Sequence, residues 1–135
     1  MTTPDTVAVD TSVAIPLLVS THAAHEGVAE WARGRRLALC GHAVIETYSV
    51  LTRLPGDVRL APVDAIRLIN ASFTRHDEAE TDLVDRFAAV GVSGGAVYDG
   101  LVAAAARQRS LPIASRDARA RSTYEALGVT VVMVA

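Results

Sequence analysis

Along this chain, short runs of apolar residues alternate with longer stretches in which apolar positions recur every three or four residues. That is the pattern of strands feeding helices in a parallel α/β sheet. Thr6 to Ser12 (TVAVDTS) opens with an alternating strand that ends in Asp10, Thr11 and Ser12. Val13 to Val19 predicts a short helix, capped by Ser12 and limited by Pro16, and Ala23 to Arg33 an amphipathic one with Val28, Trp31 and Ala32 inward, ended by Gly34. Leu37 to Cys40 suits a buried strand, and Ala43 to Leu54 a helix stopped by Pro55-Gly56. Val63 to Thr74 predicts another helix, Arg75 to Thr81 a charged connector, and Asp82 to Val90 a helix with Leu83, Phe87 and Val90 inward and Asp82, Asp85 and Arg86 outward. Ser93 and two glycines open a helix running to Arg109; Leu111 to Ala114 is a strand, Ala118 to Leu127 a helix closed by Gly128, and Val129 to Val134 a last strand. The sum is a single α/β domain spanning residues 1–135, with a parallel sheet of four to five short strands flanked by α-helices.

At 135 residues there is material for one sizeable core. Half the residues are hydrophobic and only 4% aromatic, so that core is built of small aliphatic side chains. The lone Cys40 cannot form an internal disulfide, and the N-terminal residues do not read as a secretory leader, which points to the cytoplasm. The longest near-apolar run, Ala96 to Ala106, is broken by Asp99 and falls short of the roughly 20 residues that span a bilayer. All 13 basic residues are arginine. The absence of lysine excludes a Walker phosphate loop, a lysine Schiff base and a receiver-domain switch.

The candidate chemistry is acidic. Asp10 stands at the carboxyl end of the first strand, where the reactive groups of parallel α/β sheets collect. Glu46 falls one turn after the strand end at Gly41, on a polar stripe with His42, Ser49 and Arg53 that would otherwise be a solvated face. Asp99 is the only charge between Gly94 and Ala106, beside Val102, Ala103 and Ala106. A buried carboxylate costs several kcal/mol, and a helix N-terminus returns only roughly 0.3 to 1 kcal/mol, leaving a metal ion or a paired arginine to compensate. Gly100 beside it leaves room for a ligand's backbone or for a neighbouring helix. Asp117 follows the strand at Leu111 to Ala114 and is equally placed to cap the helix after it.

Four carboxylates at the carboxyl edge of one sheet suit Mg²⁺ or Mn²⁺, which prefer oxygen ligands. Two such ions can drive phosphodiester hydrolysis without a nucleophilic side chain, and their charge would turn the formal balance of −2 positive. Three groups of arginines offer phosphate contacts: Arg33, Arg35 and Arg36; Arg107 and Arg109; and Arg116, Arg119 and Arg121 around Asp117. His22 and His25 lack a third ligand nearby and are expected to be ordinary surface residues.

The segments VAVDTSV, AVIETYSVLTRLP, GVSGGAVYDGLVAAAAR and LPIASRDARARSTYEALGVTVV together resemble the PIN-domain ribonucleases of the VapC type, the toxin halves of bacterial toxin–antitoxin pairs. The resemblance covers nearly the whole chain. It implies that Asp10, Glu46, Asp99 and Asp117 bind Mg²⁺ or Mn²⁺, that Ser12 and Ser115 are supporting hydroxyls, and that the reaction is endonucleolytic cleavage of RNA. It also implies a homodimer and a VapB-type antitoxin whose C-terminal segment lies across the active-site groove. In one respect the chain departs from the family pattern. Ala118, Arg119, Ala120 and Arg121 follow Asp117 where a further Asp or Asn is common, so one tightly held ion with a second arriving with substrate fits as well as two resident ions. The competing reading is a catalytically inert PIN fold that binds RNA or protein. A haloacid-dehalogenase-like phosphotransferase would need a second Asp where Ser12 stands.

Overall fold

A computed structural model describes residues 6–77 and 83–135. Five parallel strands, β1 (Thr6–Val9), β2 (Arg36–Cys40), β3 (Thr74–His76), β4 (Ile113–Ser115) and β5 (Val131–Met133), form one sheet in the order β3-β2-β1-β4-β5. The chain moves outward from β1 through β2 to β3, then returns to place β4 on the other side of β1. The crevice where the direction reverses therefore opens between the carboxyl ends of β1 and β4, the ends that carry Asp10 and Asp117.

Among the described residues, seven helices surround the sheet: α1 (Thr11–Leu18), α2 (His25–Ala32), α3 (His42–Leu51), α4 (Pro62–Ser72), α5 (Leu83–Ala89), α6 (Ala96–Gln108) and α7 (Ala118–Ala126), with a 3₁₀ turn at Gly56–Val58. The core is aliphatic. Ala8, Val9, Ala38, Leu39, Ile113 and Ala114 of the central strands are fully buried against Val13, Ala43, Ala103 and Ala106 of the helices. None of the described helices is long and apolar enough to cross a membrane.

Most expected elements form within a residue or two of their expected ends, and the differences have local causes. Thr74–His76 is a strand where a helix end and a connector were expected, because a sheet edge needs only backbone pairing, here Ala38 with Thr74 and Cys40 with His76. Asp82 and the connector residues after Asp77 lie outside the described residues. α3 ends early, at Leu51, where the Thr52 hydroxyl donates to the carbonyls of Tyr48 and Ser49. Val90, expected inward, is exposed beyond the end of α5, while Phe87 is buried as expected. Ser12 does not cap α1; Asp10 does, its side chain accepting from the Ser12 N–H. Nor does Pro16 end that helix, which continues to Leu18.

Two glycines set how closely the helices approach the site. Gly41, at φ +57°, turns the chain from β2 into α3. A Cβ there would lie 2.9 Å from the Leu101 carbonyl oxygen and 2.8 Å from the Ala105 Cβ, so only glycine lets α6 rest on the start of α3. Gly100 faces a neighbouring helix, since a Cβ would meet the Phe87 ring of α5 at 2.9 Å. We expect Gly41→Ala to destabilise the fold by about 2 kcal/mol or more, through left-handed strain together with overpacking. Urea unfolding measures this, and a loss within experimental error would show that α6 can move aside.

Candidate functional site

The cleft at the carboxyl edge has a volume of about 370 Å³ and is lined by Asp10, Glu46, Asp99 and Asp117, with Ser12 and Arg116 beside them. Each acid arrives by a different route: Asp10 from the end of β1, Glu46 from the middle of α3, Asp99 from the first turn of α6, and Asp117 from the turn between β4 and α7. All four candidate carboxylates are thus brought to one cavity. Their exposures differ. Asp10 is 5% exposed, Asp99 and Asp117 are half-buried, and Glu46 is exposed.

Asp10 is held by a set of short bonds. Its Oδ1 accepts from the Ser12 N–H (3.1 Å) and the Ser12 hydroxyl (2.6 Å), and its Oδ2 from the Tyr124 hydroxyl (2.8 Å). Ser12 Oγ in turn accepts from the Arg116 N–H at 2.8 Å and lies 3.4 Å from Ser115 Oγ, which accepts from the Asp117 N–H at 2.9 Å. The proton of Ser12 is committed to Asp10, so Ser115 is the donor between the two serines. Both hydroxyls thus tie the end of β1 to the end of β4. Asp117 also caps α7, accepting from the Arg119 N–H at 2.9 Å. Capping and presence in the cleft are therefore not alternatives, since a carboxylate can accept the cap bond on one oxygen and keep the other free.

Tyr124 was not legible as part of this site. The sequence signal for it is its place seven residues after Asp117, two turns along the same face of α7. Burial, and then the Asp10 charge, push its phenol far above the ordinary tyrosine range, so it remains a donor.

Arg116 also has a role that Pro16 explains. A proline at that position leaves the Ser12 carbonyl without its helical N–H partner, and Arg116 Nη1 approaches that oxygen at 3.4 Å. The Nε of Arg116 is buried without a hydrogen-bond partner among the described residues. Arg119 and Arg121 do not line the cleft; they stand on the outer face of α7, beside Asp117 at 3.8 Å and Glu125 at 3.4 Å. The other two arginine groups belong to the opposite edge of the sheet. Arg36 begins β2, and Arg107 lies at the far end of α6 beside Pro112 and Thr130. Arg35 is folded onto Trp31, its guanidinium 4.9 Å from the ring centre. These groups cannot serve a phosphate bound in the cleft. His22 and His25 are not free surface residues either: His22 lines the cleft with Nδ1 accepting from the Ala24 N–H, and His25 Nδ1 is 2.8 Å from the Pro16 carbonyl oxygen.

Among the described residues, no three His, Cys, Asp or Glu side chains form a ready-made ligand cage. The donor set nevertheless fits a hard cation that retains several waters and takes only one or two carboxylates directly, as Mg²⁺ does.

The family comparison agrees with the geometry. The family model of the PIN domain matches residues 7–126. The chain belongs to the PIN-domain family. It lies within the VapC group of PIN domains, being 55% identical over 133 residues to Ribonuclease VapC27 of Mycobacterium tuberculosis, across 96% of this chain and 97% of that one. Among solved PIN-domain folds, VapC20 of Mycobacterium tuberculosis, described as a sarcin-ricin loop cleaving toxin, superposes with a TM-score of 0.63 at 20% identity, covering 86% of this chain and 93% of that one. VapBC-5 of the same organism, a member of the VapBC family of toxin–antitoxin systems, superposes at 0.55 with 18% identity, covering 97% and 98%. At such identities the two structures establish the shared fold alone.

The acids of the PIN cleft act on one another through their charges. Burial raises the Asp99 carboxyl above the ordinary carboxylate range, and the charges of Asp117, Asp10 and Glu46 raise it further, with His42 opposing. The folded state therefore holds this proton more tightly than the unfolded chain. Stability is lost as pH rises from the ordinary 3.8 through the raised folded value. We expect Asp99→Asn to raise the urea midpoint of the metal-free protein at neutral pH and to leave it unchanged well below pH 3.8. A destabilised variant at neutral pH would contradict this.

Proposed function

We propose that the chain is a metal-dependent endoribonuclease, the toxin of a type II toxin–antitoxin pair. The observation that carries this reading is the convergence of four carboxylates from four separate elements on one cleft, in a chain that is 55% identical to a named ribonuclease. Asp10, Glu46, Asp99 and Asp117 are the residues that would hold Mg²⁺ or Mn²⁺. When bound, the cation supplies Lewis acidity for attack of water on a phosphodiester and for departure of the leaving oxygen.

The chain's own residues do the rest. Ser12 fixes the Asp10 carboxylate, and Ser115 fixes the turn that presents Asp117, so neither acid has to reorganise during reaction. Arg116 is the one arginine lining the cleft among the described residues, and it is the candidate for a substrate phosphate oxygen. A VapB-type antitoxin is the expected protein partner, and a homodimer the expected assembly, with the cytoplasm as the compartment where toxin, antitoxin and RNA would meet.

Purified protein freed of antitoxin should cut total cellular RNA into discrete products with Mg²⁺ or Mn²⁺, and chelator should abolish the products. Asp10→Asn and Asp99→Asn should each lower the rate by more than roughly 100-fold, since even residues one shell removed from a metal are commonly worth 10- to 100-fold. Folded protein that cuts nothing with either metal would favour an inert RNA- or protein-binding PIN domain. Arg116→Ala should weaken RNA binding and flatten its salt dependence, while Arg36→Ala at the opposite edge should leave both unchanged. Equal effects from the two would remove Arg116 from the substrate path.

A further inference from the structure

The geometry points to Tyr124 as a positioning residue that leaves Asp10 a single lone pair for the cation and fixes its direction. This rests on the metal-dependent reading above and names a residue that the acidic motifs do not contain.

A carboxylate presents about four lone-pair positions. On Asp10, Oδ1 accepts both the N–H and the hydroxyl of Ser12, and Oδ2 accepts the Tyr124 hydroxyl at 2.8 Å. What remains for a ligand in the cleft is one position on Oδ2, the oxygen that Tyr124 holds. Asp10 would therefore be a one-point ligand, unable to clamp an ion through both oxygens without giving up a bond to Ser12.

Tyr124 is well anchored for that task. It is 1% exposed and is among the largest fully buried side chains of the described residues. Its carbonyl accepts from the N–H groups of Leu127 and Val129 at the turn after α7, which fixes the tyrosine end of that helix. Asp117 caps the other end, and its N–H is tied to Ser115. One short helix thus carries two groups aimed at the same cleft: the Asp117 carboxylate at its start, and two turns later the hydroxyl that orients Asp10. A phenylalanine would fill the same space without burying a hydroxyl, so packing alone gives no reason for the oxygen. Among the described residues, the hydroxyl's only hydrogen-bond partner is the acid at the end of β1.

Mg²⁺ demands near-ideal octahedral geometry, whereas Ca²⁺ accepts variable coordination. Without Tyr124, Ser12 still holds Oδ1 but Oδ2 offers two open positions in place of one, so the direction of approach is no longer fixed, which suits the tolerant ion better than the strict one. The loss should therefore depend on the ion, and a purely structural tyrosine would not produce that dependence.

The test is binding of Mn²⁺, Mg²⁺ and Ca²⁺ to the metal-free wild type, Tyr124→Phe and Asp10→Asn, read by calorimetry and by Mn²⁺ electron paramagnetic resonance, with urea unfolding alongside. Tyr124→Phe keeps the ring and should fold. We expect Mn²⁺ and Mg²⁺ to bind it roughly 10- to 100-fold more weakly, the range usual for groups that orient metal ligands, with Ca²⁺ changed less. Equal or tighter Mg²⁺ and Mn²⁺ binding, or the same loss for all three ions, would overturn the assignment, even if the variant were less stable. A wild type that binds no Mn²⁺, or binds it as well after Asp10→Asn, would instead overturn the metal reading itself, a result distinguishable from the tyrosine's failure.

Discussion

A carboxylate buried at the end of the central strand is the constraint around which the molecule is arranged. Removing Asp10 from water costs several kcal/mol unless donors compensate it, and here the donors come from three places: the backbone and side chain of Ser12 and the distant Tyr124. Satisfying that one group joins β1, α1 and α7. Through Ser12 the network continues to the Arg116 N–H and to Ser115, and so to β4 and Asp117. The same bonds that make burial of the acid tolerable also fix the edge of the cleft.

Asp99 and Glu46, by contrast, are placed by the packing of the helices that carry them. Gly41 allows α6 to lie against the start of α3, and Gly100 allows α5 to close on α6. Small side chains along α6, from Ala103 to Ala106, bring that helix tight to the sheet. Asp99 is carried into the cleft by this approach and is raised in pKa by its surroundings. Local stability is given up to gather like charges, an arrangement typical of sites that await a counter-charge. Two divalent ions would offset the four carboxylates and bring the formal balance of −2 to +2, so on the proposed reading a chain that is acidic by count could still receive a polyanion.

Charge is also sorted by the parallel topology. In such a sheet every strand begins at one edge and ends at the other, so residues before β2 and after α6 cannot share an edge with Asp10. Arg36 and Arg107 stand at the amino edge, and Arg116 alone among the described arginines lines the acidic cleft. A sequence cluster of arginines is therefore not a spatial one, and a basic stretch acquires meaning only from the strand end it adjoins.

The sequence by itself determined the strands and helices wherever the hydrophobic period was clear, and it marked the acids by their positions at strand ends and in an otherwise apolar helix. Those features are local: a period of two or three to four, a glycine after a strand, a lone charge among alanines. Only the tertiary structure decided that Thr74–His76 would pair as an edge strand, since backbone hydrogen bonding to β2 leaves no side-chain pattern. It decided that Asp10, not Ser12, caps α1, and that the serine turns back to hold the acid. It assigned Gly100 to Phe87 and separated the arginines between two edges. The bond from Tyr124 to Asp10 spans 114 residues of chain, and no local pattern encodes it. It exists because helix α7 and strand β1 meet across a closed core, where a buried carboxylate must find whatever donor the packing brings within reach.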